Sequence, residues 1–243
     1  MKRIFQKDWF GIKFSDLGID LSKKDIADVK FYSSFYKVFF NKFRGYNDLP
    51  KEWRGLKDEI VNHIDELLEK NDRILSIGCG TGYVEDQLCY KKDHIEIVGI
   101  EPGVDVTKWV NKKVSILHGL FPSVLTGHYT SKDFNLVFAS SIDYVFDDKA
   151  YAEFLRSVVE FGINEFLLTE IFVPKTGVIV YMKEIIKSLL ESRFGLRTID
   201  RSVQFWGYLR TVDEHILFLR NAGFSKINVG IYNHGAYWIM AKV

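Results

Sequence analysis

An apolar run that stops at a cluster of glycines, Ile74-Leu75-Ser76-Ile77-Gly78-Cys79-Gly80-Thr81-Gly82, restricts the folds open to this chain more than any other stretch. Residues Val84 to Tyr90 behind it read as a helix. Strand, side-chain-free turn and helix N-terminus, in that order, form the point at which an α/β sheet lets a nucleotide-like ligand approach the backbone. The turn requires dihedrals that a Cβ opposes, and a side chain would occupy the ligand's place.

Spacing narrows the choice of ligand. The dinucleotide fingerprint G-x-G-x-x-G needs a glycine at position 83, where Tyr83 stands. Its ring would block the close helix–strand packing and the pyrophosphate approach that this glycine permits. A P-loop is excluded because no Gly-Lys-Ser/Thr follows. What remains is G-x-G-x-G with an acid further on. Glu101 closes the next apolar run, Ile95–Ile100, about 20 residues beyond the loop, where a carboxylate can accept hydrogen bonds from ribose hydroxyls.

From about Leu56 to its C-terminus the chain resembles the class I S-adenosylmethionine-dependent methyltransferases. Ile74–Gly82 is similar to their glycine-rich motif and Glu101 to their ribose acid. Val114–Pro122 (VSILHGLFP) resembles the third strand and adenine-side loop. Phe134–Asp148 (FNLVFASSIDYVFDD) resembles the fourth strand with its substrate-side end, and Arg210–Phe224 (RTVDEHILFLRNAGF) the late helix before a final hairpin. The resemblance implies an α/β, Rossmann-like, seven-stranded and mostly parallel sheet with a C-terminal antiparallel hairpin and helices on both faces. It implies S-adenosylmethionine as cofactor, contacted by Gly78, Cys79, Gly80, Gly82, Glu101 and Pro102. Leu120 and Phe121 would flank the adenine, and Ser140 would lie near the sulfonium. Two positions depart from the family: Ser76 stands where an acid is common, and Leu120 where an Asp follows the glycine of the adenine loop.

Strands and helices alternate from Ile74 onward, the signature of a parallel sheet. Strands are expected at Ile74–Ile77, Ile95–Ile100, Val114–Leu117, Asn135–Ala139 and Glu165–Glu170, with helices at Val84–Tyr90, Asp105–Asn111 and Lys149–Val159. The connection from Pro122 to Asp133 has room for one or two helical turns. The runs Ile227–Tyr232 and Tyr237–Val243 read as a hairpin. Residues 47–70 form an amphipathic helix with Pro50 in its first turn and Trp53, Leu56, Ile60, Ile64 and Leu67 at helical spacing. We divide the chain into an aromatic N-terminal helical lid or cap (1–46) and a cofactor-binding domain (47–243). Within that domain, residues 171–209 form a substrate-side insertion. Its middle, Val178 to Arg193, reads as a helix, and its tail carries Arg197, Arg201, Gln204, Trp206 and Tyr208. The helix through Phe31–Phe43 bears aromatics on nearly every face, so it packs on the core or, through Tyr36, covers the cofactor.

The chain has 243 residues, 47% of them apolar, enough to bury a sizeable core. Thirty-three basic against 32 acidic residues leave a net charge of +1, which offers no field to attract nucleic acid or an anionic membrane. No apolar run approaches a membrane span, and the first residues lack a signal-peptide core. Two cysteines, Cys79 and Cys89, are too close in sequence for a useful loop closure and are expected to be free thiols. A cytoplasmic protein is expected, with a small-molecule acceptor and neither nucleic acid nor membrane as partner; oligomeric state is not legible.

Methyl transfer from a sulfonium is an in-line displacement for which a protein supplies alignment, water exclusion and, for a hydroxyl acceptor, a base. Candidate catalytic groups are Tyr144 and Asp143, after the fourth strand, and Glu170 at the end of the fifth. Asp147 or Asp148 fits a helix N-cap better than a base. No metal site is expected, since the Asp-Asn pair of metal-assisted catechol-type enzymes is absent after the fifth strand. The expected activity is methylation of a small polar acceptor through a hydroxyl, such as a sugar or another metabolite. The alternatives are N-methylation of a small molecule or nucleic acid, and a non-catalytic S-adenosylmethionine-binding protein.

Overall fold

A computed structural model of the protein describes residues 2–18, 29–174 and 204–243. Five strands, β4 (Arg73–Ile77), β5 (Glu96–Ile100), β6 (Val114–Leu117), β7 (Leu136–Ser140) and β8 (Glu165–Ile171), run parallel. The hairpin β10 (Lys226–Ile231) and β11 (Tyr237–Lys242) adds to β8 antiparallel, giving the order β10-β11-β8-β7-β4-β5-β6. The architecture is α/β and Rossmann-like with a seven-stranded main sheet, as the resemblance implied, and its strands run mostly parallel, as the alternation implied.

Alternation of side chains along the strands separates two cores. Leu75, Ile77, Val137 and Ala139 face α4 (Asp148–Glu160) and α5 (Val212–Ala222), which bury Tyr151, Leu155, Val158 and Leu219. Ile74, Phe138 and Leu167 face α2 (Lys51–Leu67) and α3 (Tyr83–Lys91), which bury Leu56, Ile60, Ile64 and Leu88. Near-continuous apolar strands follow from this covering of both faces. Caps set the helix starts: the Asp147 carboxylate accepts the Ala150 amide, and Thr211 forms a capping box with Glu214. Pro50 is the N-cap of α2 rather than part of its first turn.

The expected helix Asp105–Asn111 does not form; a 3-10 turn occupies Val104–Thr107. Val104, Val106, Thr107 and Val110 are β-branched and resist helical χ1 crowding, and burying Val106 and packing Trp109 on Phe39 decides the path. The 122–133 connection holds only the short 3-10 turns Ser123–Leu125 and Ser131–Asp133.

A third core lies over one edge of the sheet. Here α1 (Val29–Lys42) buries Phe31, Phe35 and Phe39 against Phe14, Trp9 and Trp206. The N-terminal segment is not helical throughout. β1 (Lys2–Gln6) pairs antiparallel with β9 (Gln204–Leu209), and β2 (Asp8–Trp9) pairs with β3 (Ile12–Lys13). Sequence periodicity missed these strands because β2 and β3 are too short to show alternation and β1 pairs with a segment near the opposite end of the chain. The tail of the expected insertion is thus partly a strand at Gln204–Leu209. Its expected helix Val178–Arg193, with Arg197 and Arg201, lies outside the described residues.

Gly207 in β9 has φ +157°, and a Cβ there would strike the backbone carbonyl of Tyr144. This close approach holds the Asp143–Val145 turn beneath the cap. Gly207→Ala should therefore destabilise the protein by about 1–3 kcal/mol. The measurement is the urea unfolding midpoint; an unchanged midpoint would mean that β9 and the turn do not meet as described.

Candidate active site

The carboxyl ends of β4, β5, β7 and β8 open into one cavity of about 1440 Å³ beneath the N-terminal cap. At the end of β4, the Gly78 and Cys79 amides both donate to the Ile100 carbonyl, at 2.8 and 3.1 Å. This ties the bare turn to the neighbouring strand. Glu101 continues the tie: its Oε2 accepts the Gly80 amide at 3.1 Å and its Oε1 the Gly103 amide at 2.9 Å. Burial raises the Glu101 carboxyl above its ordinary value, and the two amides pull it back down. A Cβ on Gly80 would meet nothing within 4 Å, so this glycine leaves open space beside the carboxylate. Gly82 differs: it caps α3 in the left-handed region, and a Cβ would press on Val110. The loop is braced from below by Tyr46, whose hydroxyl lies 2.7 Å from the Thr81 carbonyl and 2.8 Å from Asp86 Oδ2.

Ser76, near the end of β4, is bonded to an acid from α3. Glu85, in the first turn of α3, lines the cavity and accepts a hydrogen bond from Ser76 Oγ at 2.5 Å. Burial pushes its carboxyl up to about 7, against the lowering effect of the Ser76 bond. The sequence signal was the acid pair Glu85-Asp86 in the first turn of the helix after the glycine loop.

The opposite end of the cavity is built around Glu170. Between the pairs Tyr237–Ile171 and Ile239–Leu168, β8 carries the two residues Thr169 and Glu170 against the single Trp238 of β11. This bulge places Glu170 at φ +59°, and Ser141 at the end of adjacent β7 has φ +55°. Each such non-glycine residue costs roughly 1–3 kcal/mol, a strain that concentrates at sites where a side chain must be re-aimed. The re-aimed carboxylate meets Lys57 of α2. Lys57 Nζ donates to Glu170 Oε2 at 2.5 Å and to Ser140 Oγ at 3.1 Å, while Ser140 Oγ donates to the same Oε2 at 2.9 Å. Among the described residues, nothing bonds Glu170 Oε1. Lys57 was invisible to sequence reasoning because it lies more than a hundred positions from its partner and carries no local motif.

Asp143 and Tyr144 reach the cavity from the turn after β7. Fully buried Arg210 fixes that turn, donating to the Asp143 carbonyl at 3.0 Å, the Phe146 carbonyl at 2.7 Å and the Asp148 carboxylate at 3.0 Å. Burial raises the Asp143 carboxyl to about 7, opposed by the Arg210 charge. His215 Nε2 stands 3.5 Å from Asp143 Oδ2, and burial, aided by the Arg210 charge, lowers this imidazole to about 4. Tyr144 stacks on Trp206 with centroids 5.9 Å apart, and its hydroxyl lies 3.3 Å from that of Tyr32. Burial raises the Tyr144 phenol well above its ordinary value, so it stays protonated.

The structure brings Gly78, Cys79, Gly80, Glu101, Pro102, Leu120, Phe121, Ser140, Tyr36, Asp143, Tyr144 and Glu170 to this one cavity. Gly82 stands behind it, as part of the turn. Aromatic walls come from Trp206 of the expected substrate-side insertion, from Tyr32 of the aromatic helix and from Trp9, which was not anticipated. The turn, the open face of Gly80 and the carboxylate of Glu101 fit an adenosyl group, and the cavity has room for a second molecule, since a single drug-sized ligand fills roughly 300–1,000 Å³. Among the described residues, no helix is long and apolar enough to cross a membrane.

No protein-family model and no curated protein matches the chain by sequence. Solved structures share its fold. A protein from Nostoc punctiforme PCC 73102 described as an O-methyltransferase superposes with a TM-score of 0.60 at 16% identity, over 95% of this chain and 68% of that one. Human N-acetylserotonin methyltransferase, solved with S-adenosylmethionine, gives 0.56 at 13% identity over 96% of this chain, which spans 60% of the human protein's length. Magnesium protoporphyrin IX methyltransferase from Synechocystis PCC 6803, solved with S-adenosylhomocysteine, gives 0.58 at 13% identity over 88% of this chain and 98% of that one. The strand order, the glycine turn and these superpositions together show that the chain has the fold of the class I S-adenosylmethionine-dependent methyltransferases.

Proposed function

We propose that the protein is an enzyme that transfers a methyl group from S-adenosylmethionine to a hydroxyl of a small molecule. The observation that carries this reading is the meeting, in one cavity, of two groups of residues. One is the Gly80–Glu101 cradle and the other the Lys57–Ser140–Glu170 cluster. The fold neighbours support the cofactor, two of them having been solved with S-adenosylmethionine or S-adenosylhomocysteine bound.

In this reading Glu101 accepts the ribose hydroxyls, its own position held by the Gly80 and Gly103 amides. Leu120, Phe121 and Pro102 pack around the adenine. Glu85, standing in for the acid absent at position 76, faces the ammonium of the cofactor's amino-acid end. Gly78 and Cys79 carry the backbone between these contacts, and Tyr36 covers them from α1 and keeps water out. S-adenosylmethionine supplies an electrophilic methyl carbon, which leaves sulfur for the acceptor oxygen while the carbon–sulfur electron pair stays on sulfur as a thioether. Glu170 Oε1 takes the proton from the acceptor hydroxyl, and Lys57 with Ser140 holds the carboxylate aimed through Oε2. Tyr144, kept protonated, orients the acceptor as a hydrogen-bond donor, and Asp143 with His215 and Arg210 fixes the turn that carries it.

Glu101→Ala should weaken S-adenosylhomocysteine binding by at least about tenfold in calorimetry; unaltered affinity would mean that the ribose lies elsewhere. Glu170→Gln should lower kcat by about 10²–10⁴ with that affinity retained, as loss of a general base does. Normal turnover in this variant would remove Glu170 from the chemistry. Glu85 generates a pH dependence. Its folded value of about 7 exceeds the ordinary 4.5, so the stability present at acid pH is lost as pH rises through about 7, roughly 3 kcal/mol in all. Glu85→Gln should flatten this fall between about pH 5 and pH 8 in urea titrations; parallel profiles for variant and wild type would refute the assignment.

A further inference from the structure

We infer that the acceptor is a hydroxyl-bearing aromatic, a flat apolar ring system with its hydroxyl at one end, rather than a sugar or a similarly polar metabolite. The inference rests on the methyl-transfer reading and deepens it. Polarity in the acceptor half of the cavity is unevenly distributed. The charged and hydroxyl groups Lys57, Ser140 and Glu170 gather at its buried floor, where the Lys57 and Glu170 side chains are 12% and 6% exposed. Above them the walls include the rings of Trp9, Tyr32, Tyr144 and Trp206, with Gln6 and Ser33 also in the lining. The two tyrosine hydroxyls face each other at 3.3 Å. At the mouth, Phe5, Val145 and Phe172 line the cavity yet remain 53%, 41% and 45% exposed. Large apolar side chains left in contact with water around a cavity mark a surface that an apolar partner covers.

A hexose would meet this arrangement poorly. Its C–H faces can stack on the rings, but the hydroxyls around its rim outnumber the polar groups gathered at the floor, so several would lose water without gaining a partner. A flat aromatic lays its faces on the rings, where offset and edge contacts are favourable. It then presents one oxygen to the floor. There Glu170 Oε1 accepts the hydroxyl proton, and the Lys57 ammonium lies beside the oxygen that is gaining negative charge.

The test is calorimetry on the full chain saturated with S-adenosylhomocysteine, titrated with 2-naphthol and, separately, with methyl β-D-glucopyranoside. 2-Naphthol should bind at least about tenfold more tightly than the glucoside. Phe172→Ser and Phe5→Ser, both at exposed positions, should each weaken naphthol at least about threefold while leaving S-adenosylhomocysteine affinity unchanged. Equal or tighter binding of the glucoside, binding of neither probe, or rim variants without effect would overturn the inference while the methyl-transfer reading stands. Failure of the chain to bind S-adenosylhomocysteine at all would instead overturn the reading beneath it. Appearance of 2-methoxynaphthalene with S-adenosylmethionine, and of no methylated glucoside, would support both.

Discussion

The Gly78 and Cys79 amides converge on the carbonyl of Ile100, and the Gly80 amide continues onto the carboxylate of the next residue, Glu101. The rest of the site depends on this backbone junction between β4 and β5. Parallel strands end with unpaired carbonyls and amides at one edge of the sheet, and those groups need partners when buried. Here the first turn after β4 satisfies them with the end of β5. The junction holds a carboxylate, kept partly in water's place by two amides, next to a glycine with nothing over its α-carbon. A side chain at position 78 would strike Ile142, and one at position 80 would fill the open space.

At the other end of the same edge the fold tolerates strain to place a charge. A two-for-one bulge between β8 and β11 turns Glu170 out of the regular strand alternation, and Ser141 adopts a left-handed backbone beside it. There Lys57 neutralises the carboxylate and Ser140 completes its bonding. The buried cluster is satisfied on one oxygen and available on the other, a combination suited to proton transfer from a ligand and poorly suited to simple stabilisation.

The cap acts through packing. β1, β9, α1 and the β2–β3 hairpin hold their aromatics against one another, with Trp206 stacked on Phe14 at 5.5 Å and on Tyr144 at 5.9 Å. Trp206 thus joins the N-terminal core to the turn after β7, and Arg210 fixes that turn from the opposite side. Cap and sheet edge are therefore coupled by ring contacts and one buried guanidinium, and the cavity between them is largely aromatic.

Local sequence determined the sheet and one half of the site. Five apolar runs at α/β spacing, the glycine turn, Glu101 and the final hairpin could be read directly, because strand alternation, turn chemistry and helix caps are properties of neighbouring residues. Glu170, Tyr144 and Asp143 could be named from their places at strand ends. The tertiary structure alone decided what each of these meets. Lys57 reaches Glu170, Glu85 accepts a hydrogen bond from Ser76, Arg210 holds the 143–146 turn, and β9 pairs with a strand at the opposite end of the chain. Such partners are joined by the folding of distant segments onto one edge. No periodicity or short motif records that proximity, since the free energy that creates it comes from burial of the whole core rather than from any local preference.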